Sequence, residues 1–206
     1  MALTLISGFL GYLMGSIPFA YLVVRWRRGV DLRAEGSGNV GALNSLHVTH
    51  SKGIGILVLL LDLAKGAAVV WAAGELLGRT FPHLAGAAVG AVVGHNYSLW
   101  LRWKGGRGLA TALGAMLVIA PLAGLIWMVL WGAGYTLFRE INVGSAFACV
   151  AEAGSMFALP FPVTRSVLTL PAGQADVYVF MSLMFAVLLS KLVRPVLEHA
   201  GRRRMR

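Results

Sequence analysis

Leu109–Phe138 reads LATALGAMLVIAPLAGLIWMVLWGAGYTLF, thirty residues without a charge. A membrane-spanning helix needs about 20 mostly apolar residues, so this stretch is long for one crossing and short for two. Pro121 interrupts it, and proline ends or kinks a helix. Whether the stretch crosses once or twice fixes the side on which everything downstream emerges, and the basic residues decide. With the N-terminus outside, two short helices turning near Pro121 leave 15 cations on the inner side. They are Arg25, Arg27, Arg28, Arg33, Lys52, Arg102, Lys104, Arg107, Arg139, Lys191, Arg194 and the tail residues Arg202, Arg203, Arg204 and Arg206. Only Arg79 and Arg165 remain outside, and Lys65 lies within a span. A single crossing would put the tail arginines outside, against the positive-inside bias.

The other expected spans are Leu3–Val24, Ile54–Leu77, His83–Leu101, Ser145–Leu168 and Asp176–Arg194. Leu3–Val24 has no basic stretch before it and no small-residue cleavage pattern after it, so it reads as a retained helix. The expectation is an all-α polytopic membrane protein: seven helices, the fourth and fifth short, N-terminus out and C-terminus in. Neither a repeat nor a linker divides the chain, and 1–206 reads as one domain. Composition agrees. Of 206 residues, 58% are hydrophobic and 13% charged, yet the net charge is +10; the mean hydropathy is +0.75. So few charges cannot cover a soluble surface, which argues against a soluble nucleic-acid binder. The single Cys149 excludes an internal disulfide, and no Cys/His spacing suits zinc.

The inner loops contain more than charge. The first, EGSGNVGALN over 35–44, holds Gly36, Ser37, Gly38, Asn39 and Gly41 in a G-x-G-x-x-G pattern. A transmembrane helix precedes it where a dinucleotide fingerprint requires a strand, and no Gly-Lys-Ser/Thr follows. The loop reads either as a polar turn or as an anion nest of backbone N–H groups, rimmed by Ser37 and Asn39. The second loop, Gly94–Gly108, ends in Lys104-Gly105-Gly106-Arg107-Gly108 before a helix beginning near Leu109. Cations, open amides and a helix N-terminus suit phosphate. Trp100 and Trp103 equally suit an interfacial anchor on anionic lipid. Two such loops on one predicted face favour phosphate on the cytoplasmic side.

Asp62 and Lys65, three apart, share a face of the second span and can pair. They are either functional or a buried tie between helices. His95, at the inner end of the third span, is either a general base or a hydrogen-bonded packing residue. Glu140, Asn142 and Ser145 form a polar cluster after the fifth helix. Glu152 is an intramembrane acid suited to a polar interhelix contact.

GSIPFAYLV (15–23), GSGNVGALN (36–44), DLAKG (62–66) and GHNYSLWLRWKGGRGLAT (94–111), in this order and spacing, resemble the bacterial integral-membrane glycerol-3-phosphate acyltransferases that use acyl phosphate. The resemblance covers roughly the first 60% of the chain and implies seven helices with the N-terminus out. It also implies acyl transfer from a fatty acyl phosphate to the 1-hydroxyl of glycerol 3-phosphate, giving lysophosphatidic acid and phosphate within a multi-pass protein of the cell membrane. Position by position, Gly36, Ser37, Gly38, Asn39, Gly41 and Asn44 fall in the first phosphate motif, and Asp62 with Lys65 marks the second segment. Gly94, His95, Lys104, Gly105, Gly106, Arg107 and Gly108 belong to the third, and Asn142 and Ser145 to a later one. Ser37, His95 and Lys104 are the expected catalytic group. Neither a metal nor another cofactor is called for; the partners are the two substrates and membrane lipid.

The chain departs from the pattern in places. Leu43 and His47 stand where the family usually has threonine and arginine, Arg107 where it has lysine, and Asn142 where it has serine. The segment LLSKLVRPVLEHAGRRRMR (188–206) offers no His-x-x-Asn. A different phosphorylated acceptor, or lost activity, would be the consequence of a changed acceptor site. A small transporter of a phosphorylated solute is the rival reading, suggested by the intramembrane Asp62 and Lys65 and the break at Pro121.

Overall fold

The computed structural model describes residues 1–204, with side chains as far as Gly201. The side chains of the tail arginines Arg202, Arg203, Arg204 and Arg206, counted above for the inner face, lie outside the described residues. Among the described residues ten α-helices follow one another: α1 (Ala2–Gly15), α2 (Phe19–Arg28), α3 (Ala42–Thr49), α4 (Lys52–Leu77), α5 (Phe81–Asn96), α6 (Leu109–Ile119), α7 (Pro121–Phe138), α8 (Ile141–Ala158), α9 (Phe161–Ser166) and α10 (Gln174–Arg204). Among the described residues no strand occurs. Among the described residues five stretches are long and apolar enough to cross a membrane: Ala2–Arg28, Lys52–Leu77, Pro121–Phe138, Ile141–Ala158 and Gln174–Gly201.

Helix boundaries follow local chemistry. The first expected span is broken between α1 and α2, because Pro18 has no N–H and biases Ile17 away from helical backbone. Pro121 sits at the first turn of α7, the position proline tolerates, so the 109–138 stretch does split there. The halves are unequal: α6 has 11 residues and α7 has 18, long enough to span by itself. The third expected span ends at Asn96, and a 3₁₀ turn, Leu99–Leu101, follows it. The sixth is cut at Pro160, where α9 begins anew.

The chain divides into two compact units, 1–118 and 119–206. In the first, α1 and α5 pack through glycines spaced four apart, Gly11 and Gly15 on one helix and Gly86, Gly90 and Gly94 on the other. A Cβ on Gly90 would strike the Gly8 carbonyl, and one on Gly15 the Ala91 carbonyl. Close backbone approach of this kind replaces the hydrophobic drive that lipid removes. Gly66 and Gly114 do the same between α4 and α6. In the second unit, Gly134 and Gly144 bring α7 against α8. Trp127 Nε1 donates to Cys149 Sγ at 3.4 Å, and Tyr178 of α10 packs on Phe157 and Phe161.

Candidate active site

Unit 1 gathers the first two glycine-rich segments, α4 and the end of α5. Beneath the first loop, Ala20, Val24, Leu32, Val40, Val58 and Leu101 form a fully buried cluster that seats it on α2 and α4. Gly36 and Gly38 take left-handed φ of 57° and 69°, which L-residues adopt only under strain. Asn44, 3% exposed, then holds the loop closed. Its Oδ1 accepts from the Ser37 amide at 2.9 Å, while its Nδ2 donates to the Leu32 and Glu35 carbonyls at 3.2 and 3.0 Å. At the loop entrance, Arg33 grips Asp31 with both Nε and Nη2 and covers the Tyr21 ring. That guanidinium pulls the Asp31 carboxyl down to about 2.

This changes the chemistry expected of the loop. Three of its amides are taken by the protein itself: that of Ser37 goes to Asn44, Gly38 to the Glu35 carbonyl and Gly41 to the Asn39 carbonyl. Asn44 is a brace and has no donor to spare. The Ser37 side chain is exposed at the rim, and that of Asn39 is half-buried there.

The second loop behaves likewise. The Gly105 and Gly106 amides donate to the Asn96 and His95 carbonyls at 3.2 and 3.0 Å, which satisfies the end of α5. A Cβ on Gly105 would strike the His95 carbonyl, and one on Gly108 the Asn96 side chain. A Cβ on Gly106 would meet both His95 Nε2 and the Val40 carbonyl of the first loop. Glycine is needed here for close docking. Lys104 is exposed and Arg107 half-buried, both directly before α6.

Under the two loops lies a buried polar cluster. Lys65 Nζ is 3.0 Å from Asp62 Oδ1, 3.0 Å from the Ile17 carbonyl and 3.1 Å from His95 Nδ1. The Asp62 contact is an ion pair whose angle is poor for a hydrogen bond, since Oδ1 has no aligned donor. Thr111 Oγ1 of α6 is 3.3 Å from the same His95 nitrogen. The break between α1 and α2 leaves carbonyls outside any helix; Lys65 takes that of Ile17, and Ser98 Oγ donates to that of Ser16 at 2.6 Å. A gap in a membrane helix persists only when neighbours satisfy it in this way. Sequence reasoning left that role out, although Ser16-Ile17-Pro18 was its signal.

Beside this cluster an apolar groove of about 630 Å³ runs between α1 and α4. Leu10, Met14, Ile17, Phe19, Leu61 and Trp71 line it, and Lys65 joins it to the polar cluster.

Asn142 and Ser145 belong to unit 2, at the start of α8. Glu140 caps that helix by accepting from the Val143 amide at 2.7 Å, and Asn142 Nδ2 donates to Glu140 at 2.6 Å. Ser145 is fully buried and donates to the Ile141 carbonyl. Among the described residues no group of three or more His, Cys, Asp or Glu could hold a metal.

Comparison with known proteins adds the following. The family model described as Glycerol-3-phosphate acyltransferase matches residues 5–194. A glycerol-3-phosphate acyltransferase of Myxococcus xanthus (strain DK1622) is 44% identical over 71% of this chain and 76% of its own length. One of Synechococcus sp. (strain JA-3-3Ab) is 45% identical over 79% of each. The crystal structure of PlsY (YgiH), an integral membrane glycerol 3-phosphate acyltransferase, in its glycerol 3-phosphate form is similar with a TM-score of 0.80. It is 27% identical, with 97% of this chain and 93% of that one covered.

Proposed function

The chain belongs to the glycerol-3-phosphate acyltransferase family, and we infer that it transfers a fatty acyl group from acyl phosphate to the 1-hydroxyl of glycerol 3-phosphate. The observation that carries this reading is the joint between the loops, where Gly106 lies against both His95 Nε2 and the Val40 carbonyl. Two phosphate-type segments distant in sequence thereby meet, the first carrying Ser37 and the second Lys104 and Arg107.

The reaction needs no acyl-enzyme. The acceptor hydroxyl oxygen attacks the acyl carbon, its proton passes to a phosphate oxygen of the substrates, the bond from the acyl carbon to the phosphate oxygen breaks, and inorganic phosphate leaves. Lys104 and Arg107 stabilise charge on the departing phosphate, and Ser37 and Asn39 hydrogen-bond substrate oxygens at the rim. Gly36, Gly38, Gly41 and Asn44 give the first loop its shape; Gly105, Gly106 and Gly108 seat the second. Holding the hydroxyl beside the acyl carbon supplies much of the remaining acceleration. The groove between α1 and α4 is of a size for a ligand and takes the acyl chain from the lipid side. The N-terminus lies outside, the chain crosses seven times, and the site faces the cytoplasm of a bacterial cell membrane, as the 15-to-2 division of cations supports.

The test is to incubate detergent-purified protein with palmitoyl phosphate, with and without glycerol 3-phosphate, and follow lysophosphatidic acid by mass spectrometry. Acceptor-dependent product is expected. Lys104→Ala is expected to lose at least about 100-fold in rate while staying folded, as removal of a charge-stabilising donor does elsewhere. A Lys104→Ala protein near the normal rate removes that residue from the mechanism. Product without lysophosphatidic acid, or none, assigns a different acceptor or an inactive member.

A further inference from the structure

We propose that Lys65 locks His95 in the neutral tautomer with its proton on Nε2, so that the imidazole serves substrate as a hydrogen-bond donor and not as the base that deprotonates the acceptor. The inference rests on the reading of the two loops as the phosphate site. Its premise is the proton inventory of the buried cluster.

An ammonium group has three N–H donors and no acceptor. Lys65 Nζ has three neighbours at 3.0–3.1 Å: the Ile17 carbonyl, Asp62 Oδ1 and His95 Nδ1. The first two can only accept. Asp62, 3% exposed, is the counter-charge that keeps the lysine an ammonium in a dry place, and the Phe19 ring centroid lies 5.5 Å from Nζ. The two hydrogen bonds of Lys65 Nζ go to the Ile17 carbonyl and to His95 Nδ1; an ammonium can only donate, so Nδ1 must present its lone pair. A proton on Nδ1 would set donor against donor at 3.1 Å. It would also have to reach Asp62 at 3.5 Å, past the closer lysine. A doubly protonated ring would put two cations against one carboxylate. Thr111 Oγ1 does not decide the matter, because its hydroxyl proton can turn either way.

With Nδ1 occupied, a neutral ring carries its proton on Nε2. That edge lies against Gly106, at the joint with the first loop. His95 thus resembles a fixed amide aimed at the phosphate edge, and no ring lone pair is free for a substrate hydroxyl. Lys65 and Asp62 are positioning residues, since they act on substrate through the ring.

The decisive measurement is ¹⁵N NMR of the full chain labelled at histidine. His95 is the one buried imidazole among the described residues, and its signals are identified by their loss in His95→Gln. An unprotonated Nδ1 and a protonated Nε2 at neutral pH are expected. In Lys65→Met the proton is expected to move to Nδ1, facing Asp62. A proton on Nδ1 in the wild type, or an unchanged tautomer in folded Lys65→Met, overturns the lock.

Activity supplies a second reading. Glutamine carries an N–H donor but no basic nitrogen. His95→Gln is expected to keep roughly a tenth or more of kcat with a raised KM, whereas loss of a general base costs 10²–10⁴ in rate. A folded His95→Gln protein with that larger loss overturns the donor role; should it not fold, the wild-type spectrum decides. A wild type that transfers no acyl group brings down the function proposed above, and the spectrum still tests the lock.

Discussion

Two loops of this protein, 33–41 and 102–108, look alike as strings: glycines, small polar residues and cations beside a helix start. Their folded logic differs. The first is held by polar side chains, with Asn44 tying three backbone groups together and Arg33 clamped on Asp31. The second is held by contact, its glycines pressed against the end of α5 where side chains would collide. Glycine in the first permits left-handed backbone; at 105 and 106 it permits approach. The lesson is that a glycine-rich phosphate-like loop is not by itself a nest of free amides. Here several of those amides bind the protein, and the proposed function gives recognition to the side chains at the rim.

The contrast can be broken by substitution. Gly106→Ala has the largest expected effect. Its methyl must displace either His95 or the first loop, and a misplacement of about 1 Å at a catalytic group costs on the order of 100-fold. Lysophosphatidic acid formation should fall by that factor, and overpacking of the joint should lower the thermal unfolding midpoint, at about 1–3 kcal/mol. A normal rate would mean that the loops do not share one site.

Asn44→Ala should act on stability first. It leaves the Ser37 amide and two carbonyls without their partner, at about 1–3 kcal/mol for the buried groups, read as a lowered midpoint in thermal unfolding. If the first loop is braced as described, Asn44→Asp is only a partial rescue, because a carboxylate can accept from Ser37 but cannot donate to Leu32 and Glu35.

The smallest effect is that of pH on the Arg33–Asp31 clamp. The folded carboxyl is held at about 2, below its ordinary value of about 3.9. Its contribution to stability is therefore complete above about pH 4 and disappears as pH falls toward 2. Asp31→Asn should remove this part of the acid sensitivity and leave neutral-pH stability little changed, since the pair is partly exposed. Acid unfolding curves of the two proteins, superimposed, would show the clamp to be idle.

How much of this was legible beforehand depends on the kind of signal. Long apolar runs and Pro121 showed the helices and the split of 109–138, because a membrane demands about 20 apolar residues and proline punctuates any helix. Lys65 and Asp62 were readable as a pair from their spacing. The break at Ser16–Pro18 was not, because the hydropathy of residues 3–24 continues through it. Nor was the inward turn of Asn44 and Ser145, since a polar residue in a motif looks the same whether it faces a ligand or a carbonyl of its own chain.

Composition, charge order and motif spacing alone determined an all-helical membrane chain and its family resemblance, because those depend on transfer of residues into lipid and on local chemistry. Tertiary structure alone decided which donors remain for a substrate. Hydrogen-bond partners are allotted by distance in space: Lys65 reaches Ile17, 48 positions away, and His95, 30 away. No local pattern in the chain encodes such a meeting, and the state of His95 depends on it.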